Sequence, residues 1–134
     1  MKTMCKRTLT LTFVAALLCS LAVVNAAMPE SGIMPLYNYI EDTDCSIDIN
    51  GTMADLSAFV SAVNVDKCQI KMTLQMRDGS SWDDVTSWTD VEYNDNMHVT
   101  HSYTIDPDES YRVKVTFKVW NGSSTETVTK TDLP

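Results

Sequence analysis

Basic side chains at alternate positions in two stretches of the chain are the residues best suited to bind a ligand. They are Lys71 and Arg77 in the first stretch and Arg112, Lys114 and Lys118 in the second, with the aromatic Trp120 on the same predicted face. Alternate side chains of a strand share one face of a sheet, and the third and sixth strands of a β-sandwich are neighbours. The sequence therefore predicts a basic face that could bind a carboxylate-rich glycan, a phosphate-rich wall polymer or an acidic protein. The other interpretation is a solvated face whose lysines discourage association between sheet edges.

Three aromatic residues, Trp82, Trp88 and Tyr93, form a second candidate site, an aromatic rim that could stack against sugar rings. The two tryptophans would share one face of a straight strand, because they are six residues apart. The valines among them would take the opposite face, and both sets cannot be buried, so we expect a β-bulge near Asp83-Asp84. If a five-residue turn precedes this strand, Trp82 stands opposite Met76 and faces the core. The position of Trp88 depends on the bulge.

Motifs of enzymes and of metal sites are absent from the sequence. It contains no nucleophile elbow, no His-Glu-x-x-His and no phosphate-binding glycine loop. His98 and His101 are three residues apart, which places them on opposite faces of a strand, so they cannot share a metal ion. Acidic residues cluster in the loops, where solvation, calcium binding and a glycosidase-like carboxylate pair are the alternatives. We predict a non-enzymatic protein with no catalytic residue, no metal site and no cofactor.

The first 26 residues have the pattern of a secretory signal peptide. Basic residues precede an apolar run, which ends in small residues near Ala26. A retained membrane anchor is the alternative interpretation. We predict that residues 1–26 are removed, that residues 27–44 are irregular and that residues 45–134 form one domain. The protein would then be secreted, without membrane insertion.

Removal of the signal peptide would make the protein strongly acidic. Seven basic residues would remain against 18 acidic ones, a net charge of −11. A domain of this charge does not bind nucleic acid through a general electrostatic field. The predicted partner is therefore a protein or an anionic glycan or wall polymer that contacts the basic face locally.

Two cysteines, Cys45 and Cys68, remain after the signal peptide. An even pair in an exported protein predicts one disulfide. Closing a loop of about 22 residues would stabilise the fold by about 3 kcal/mol. Two buried, reduced thiols are the alternative.

Alternating apolar and polar residues predict seven short strands. They are expected at residues 45–49, 53–61, 68–76, 82–91, 97–105, 111–120 and 124–131. Turns such as Asn50-Gly51 and Asn121-Gly122 favour tight hairpins between them. The sequence therefore predicts an all-β fold, an antiparallel immunoglobulin-like β-sandwich.

Two segments resemble known families. Tyr103–Val113 resembles the corner before the sixth strand of immunoglobulin-like and fibronectin type III domains, which implies that the Tyr111 hydroxyl bonds back to the corner backbone. Val113 stands where an immunoglobulin has its second cysteine, so the antibody disulfide is not present. The segments TLQMRDGSSWDDVTSW (residues 73–88) and YRVKV (residues 111–115) resemble small exported proteins of unknown function from Gram-positive bacteria. That likeness implies a β-sandwich and no particular ligand.

Three functions are compatible with these features. The first is an exported, non-enzymatic binding module that uses the basic face. The second is a carbohydrate-binding module that stacks sugars on Trp88, Trp120 and Tyr93. The third is a structural extracellular protein without a small ligand, which would associate with itself.

Overall fold

The computed structural model describes residues 37–134, and these residues form seven β-strands. The strands are β1 (Ile40–Asn50), β2 (Met53–Ala62), β3 (Lys67–Asp78), β4 (Ser81–Glu92), β5 (Asn96–Thr104), β6 (Tyr111–Asn121) and β7 (Ser124–Asp132). The predicted all-β class and the seven strands are confirmed. The predicted signal peptide lies outside the described residues, and within them no helix is long and apolar enough to cross a membrane.

The strands form two antiparallel sheets that pack face to face. Sheet A has the order β1-β2-β5 and sheet B has the order β4-β3-β6-β7. Alternate residues point between the sheets, as in Ile70, Met72 and Leu74 of β3 and Val115 and Phe117 of β6, all of which are fully buried. This arrangement is an immunoglobulin-like β-sandwich. It makes β3 and β6 neighbours, which brings the predicted basic residues onto one surface.

The first strand begins at Ile40, five residues before the predicted start, so the prediction of an irregular segment is wrong for residues 40–44. The cause is long-range: residues 42–44 pair with residues 59–61 of β2, and a second contact holds the start of the strand. The Glu126 carboxylate of β7 accepts hydrogen bonds from the backbone N–H groups of Asn38, Tyr39 and Ile40 at 3.0, 2.8 and 3.1 Å. A strand held by a side chain 86 residues away leaves no local pattern in the sequence.

The predicted disulfide is not formed, and both cysteines are free. Cys68 of β3 pairs with Val119 of β6. Cys45 of β1 instead lies near Asp132, whose partner on β6 is Val113. Val119 and Val113 are six residues apart on β6, which corresponds to about 20 Å along the strand. A disulfide needs Cα atoms within about 7 Å of each other.

We expect both thiols to react slowly with iodoacetamide in the folded protein. Burial raises the pKa of Cys45 and of Cys68, and nearby carboxylates raise both pKa values further. A raised pKa lowers the thiolate fraction at any given pH, and the thiolate is the reactive form. Alkylation followed by intact mass at pH 8 should therefore be several-fold slower in native protein than in urea, and faster as the pH rises. In urea without reductant, protein that lacks residues 1–26 should add two groups, one at each remaining cysteine; addition of none would contradict the free thiols.

Candidate functional site

Trp82 lies on the outward face of sheet B, so the prediction that it faces the core opposite Met76 is wrong. The turn before β4 is a two-residue loop, Gly79-Ser80, instead of the expected five residues, and Gly79 supplies the positive φ of 57° that this turn requires. Asp78 therefore pairs with Ser81, and Trp82 pairs with Arg77.

A β-bulge separates the two tryptophans of β4. The register shifts between Leu74 and Gln75, whose partners are Thr86 and Asp84, so that Val85 is the extra residue. A bulge near Asp83-Asp84 was expected, and it occurs one residue further along. Without it, Trp82 and Trp88 would share a face; with it, they lie on opposite faces.

Two guanidinium groups flank the Trp82 ring. The central carbon of Arg77 lies 5.3 Å from the ring centroid, and that of Arg112 lies 4.5 Å from it. Cation–π contacts of this kind are worth about 0.5–1 kcal/mol each at partly exposed sites. The ring thus holds two positive charges from neighbouring strands side by side.

A buried amide fixes the orientation of Arg112. Gln75 is only 5% exposed, and its Oε1 accepts a hydrogen bond from Arg112 Nε at 2.7 Å. Gln75 Nε2 donates to Asp84 Oδ1 at 2.6 Å. Neither Gln75 nor Asp84 was among the predicted site residues, because glutamine in an alternating strand gives no signal that it will be buried.

A second cluster of the same kind surrounds Trp120 at the other end of sheet B. Lys67 Nζ lies 4.0 Å from the ring centroid, and Lys118 Nζ lies 5.0 Å from it. Lys67 was not among the predicted site residues, because the third strand was expected to begin at residue 68. Lys67 and Lys71 are four residues apart, so the alternation of a longer strand would have placed both on the same face.

The two clusters and the residues between them form a continuous basic face. Its members lie on β3, β4 and β6: Lys67, Lys71, Arg77, Trp82, Arg112, Lys114, Lys118 and Trp120. The eleven residues from Lys67 to Arg77 span about 33 Å of strand. Within the described part of the chain, no lysine or arginine nitrogen lies within 4.0 Å of a carboxylate oxygen. Six of the seven basic residues in that part thus share one surface without ion-pair partners.

The predicted aromatic rim does not form. Trp88 points between the sheets and stacks on His101 of β5 at 4.8 Å between centroids, and His101 Nε2 lies 2.7 Å from Asp90 Oδ2. Tyr93 is 84% exposed in the loop after β4, away from Trp82. Trp88 and His101 close the edge of the sandwich between β4 and β5.

Tyr111 anchors the corner from which β6 begins. Its hydroxyl accepts a hydrogen bond from the Asp106 backbone N–H at 3.1 Å, and the ring is 5% exposed. Arg77 N–H donates to the Ser110 carbonyl at 2.8 Å on the other side of the corner. These contacts fix the position at which Arg112 enters the basic face.

The outward face of sheet A carries a shallow depression of about 450 Å³. It is lined by Asp42, Asp44, Cys45, Ser46, Ser57, Phe59 and His98. His98 Nε2 lies 2.9 Å from Ser57 Oγ. Among residues 37–134, no group of three or more His, Cys, Asp or Glu side chains could hold a metal ion.

The sequence matches no family model and no curated protein. The solved structures that are similar in part include two bacterial proteins. The E. coli curli protein CsgC is 16% identical, with 67% of this chain and 95% of that chain covered and a TM-score of 0.38. R. palustris CsgH is 14% identical, with 66% and 90% covered and a TM-score of 0.38. At this level of similarity neither structure indicates what the protein binds, and the resemblance to exported Gram-positive proteins stays a prediction.

Proposed function

We propose that the protein is an exported, non-enzymatic binding module whose basic face recognises an extended anionic macromolecule. One observation carries the proposal: six basic side chains line one surface, and none of them is neutralised by a carboxylate among the described residues. Solvated surface cations on an acidic protein would be expected to pair with some of its many carboxylates. Here tryptophan rings and neutral hydrogen-bond acceptors hold four of them instead.

The chemistry of the face suits a linear polyanion. The planar guanidinium groups of Arg77 and Arg112 can form paired hydrogen bonds to carboxylate, sulfate or phosphate, and the lysines act as point charges. The length of about 33 Å accommodates several anionic groups in a row. The overall negative charge repels such a ligand at long range, so binding would depend on contacts within a Debye length of about 8 Å.

Stacking of neutral sugars receives less support from the arrangement of the rings. That function was predicted to use Trp88, Trp120 and Tyr93. Trp88 is stacked on His101, two lysines lie over Trp120, and Tyr93 stands on a separate loop. The three rings therefore offer no common platform.

Heparin, a sulfated linear polysaccharide, tests the proposal by isothermal titration at low and high salt. We expect binding that weakens steadily with added salt, and we expect the Lys71→Gln/Lys114→Gln variant to lose about tenfold in affinity. Neither lysine contacts a carboxylate, so neither substitution should affect folding.

The matched control is Thr100→Glu/Thr104→Glu, which changes the net charge by the same amount on the exposed face of sheet A. It should bind heparin as the parent does. Equal losses in both variants would show that only net charge matters, and salt-independent binding would contradict the proposal.

A further inference from the structure

The outward faces of the two sheets carry opposite charges. Sheet A presents four carboxylates and no lysine or arginine among its outward residues: Asp42, Asp44, Asp48 and Asp55. We call this surface the acidic face. Asp48 and Asp55 stand directly opposite each other on β1 and β2. Like charges in that position repel each other and destabilise a sheet. A cation placed over the two carboxylates would therefore stabilise the molecule.

We propose that the acidic face of one copy docks on the basic face of a second copy. The spacing of the charges matches. Asp44 and Asp48 are four residues apart on β1, and Lys114 and Lys118 are four residues apart on β6, so each pair spans about 13 Å. The depression beside Asp44 contains the Phe59 ring, and it offers room for a lysine or arginine side chain from the facing copy.

The contact leads to open-ended stacks. The two faces lie on opposite sides of the sandwich, so a docked copy still presents one free acidic face and one free basic face. Such a heterologous contact does not close on itself, unlike a twofold dimer. Dimers, trimers and longer species should therefore coexist.

The size of the contact makes the association weak. Three strands of about ten residues give a footprint of about 480 Å² per copy. The total buried area is then about 1,000 Å², at the lower end for specific interfaces. The net charge of −11 opposes association when salt is very low, and salt also screens the face-to-face attraction when it is high. Stacks should therefore be most abundant near 0.1 M salt and should dissociate at 1 M.

Sedimentation velocity tests the proposal with two variants. Asp44→Lys/Asp48→Lys reverses charges on the acidic face, and Lys114→Glu/Lys118→Glu reverses charges on the basic face. At about 100 µM and 0.1 M salt the parent should show a weight-average mass at least twofold above the monomer. Each variant alone should remain monomeric. An equimolar mixture should associate again, because each variant retains one native face for the other.

A parent that is monomeric at every salt concentration, or one that forms only a closed dimer, would overturn the proposal. Association that persists at 1 M salt would also overturn it, because it would indicate contacts between strand edges. Heparin separates this inference from the proposed function, since it should compete for the basic face and disperse the stacks. Heparin binding by a parent that never associates would refute only the stacking. Association without heparin binding would refute only the proposed function.

Discussion

Replacing Phe117 with alanine is expected to lower the free energy of unfolding by about 3–5 kcal/mol. Phe117 is the largest fully buried side chain, and it lies on β6 at the centre of the core, opposite Ile70 of β3. Without the ring, folding no longer gains the free energy of transferring it from water to the core. The cavity that remains can be closed only in part by the two sheets. Urea unfolding followed by circular dichroism measures the change.

Phe59 is the matched control, because it is a phenylalanine on β2 that points away from the core. Its neighbours Ala58 and Val60 face inward and are buried, whereas Phe59 is half-buried on the acidic face. Phe59→Ala should cost about 1 kcal/mol or less, since the ring covers only surface residues. Comparable losses in the two variants would show that the inward and outward registers of the strands have been assigned incorrectly.

Replacing Glu126 with alanine is expected to cost about 2–4 kcal/mol, a large effect for a side chain at the edge of a sheet. Its carboxylate accepts three backbone hydrogen bonds at the start of β1. Hydrogen bonds to a charged group contribute about 1.5–3 kcal/mol each. In the variant, water can bond the exposed amide of Asn38, so the loss is smaller than the sum of three such bonds. The amides of Tyr39 and Ile40 should also lose protection from hydrogen exchange.

Glu126→Gln retains an acceptor without the charge, so its cost should be about half of that for alanine. The control is Glu41→Ala, an exposed glutamate on β1, which should change stability by less than about 0.5 kcal/mol. A stable Glu126→Ala variant with protected amides at 39 and 40 would show that the start of β1 does not depend on the Glu126 carboxylate.

The two ends of the basic face differ in how far the sequence could predict them. Lys114, Lys118 and Trp120 alternate on a strand of strict period two, so their common face follows from the pattern alone. Trp82 joined that face only because of the two-residue turn at Gly79, and the bulge at Val85 turned Trp88 to the opposite face. Each of these features changes the register by one residue, and a shift of one residue moves a side chain to the opposite face.

The alternation of residue types by itself determined the fold class, the seven strands, the inward residues of β2, β3, β5 and β6 and the grouping of Lys71 with Lys114, because strand periodicity is a local property. Tertiary structure decided the rest. It separated Cys45 from Cys68, extended β1 through its pairing with β2 and the contact with Glu126, buried Gln75 beneath Arg112, and placed Trp88 against His101. Each of these outcomes joins residues of different strands through side chains, and such contacts depend on register and sheet packing, which no window of the sequence contains.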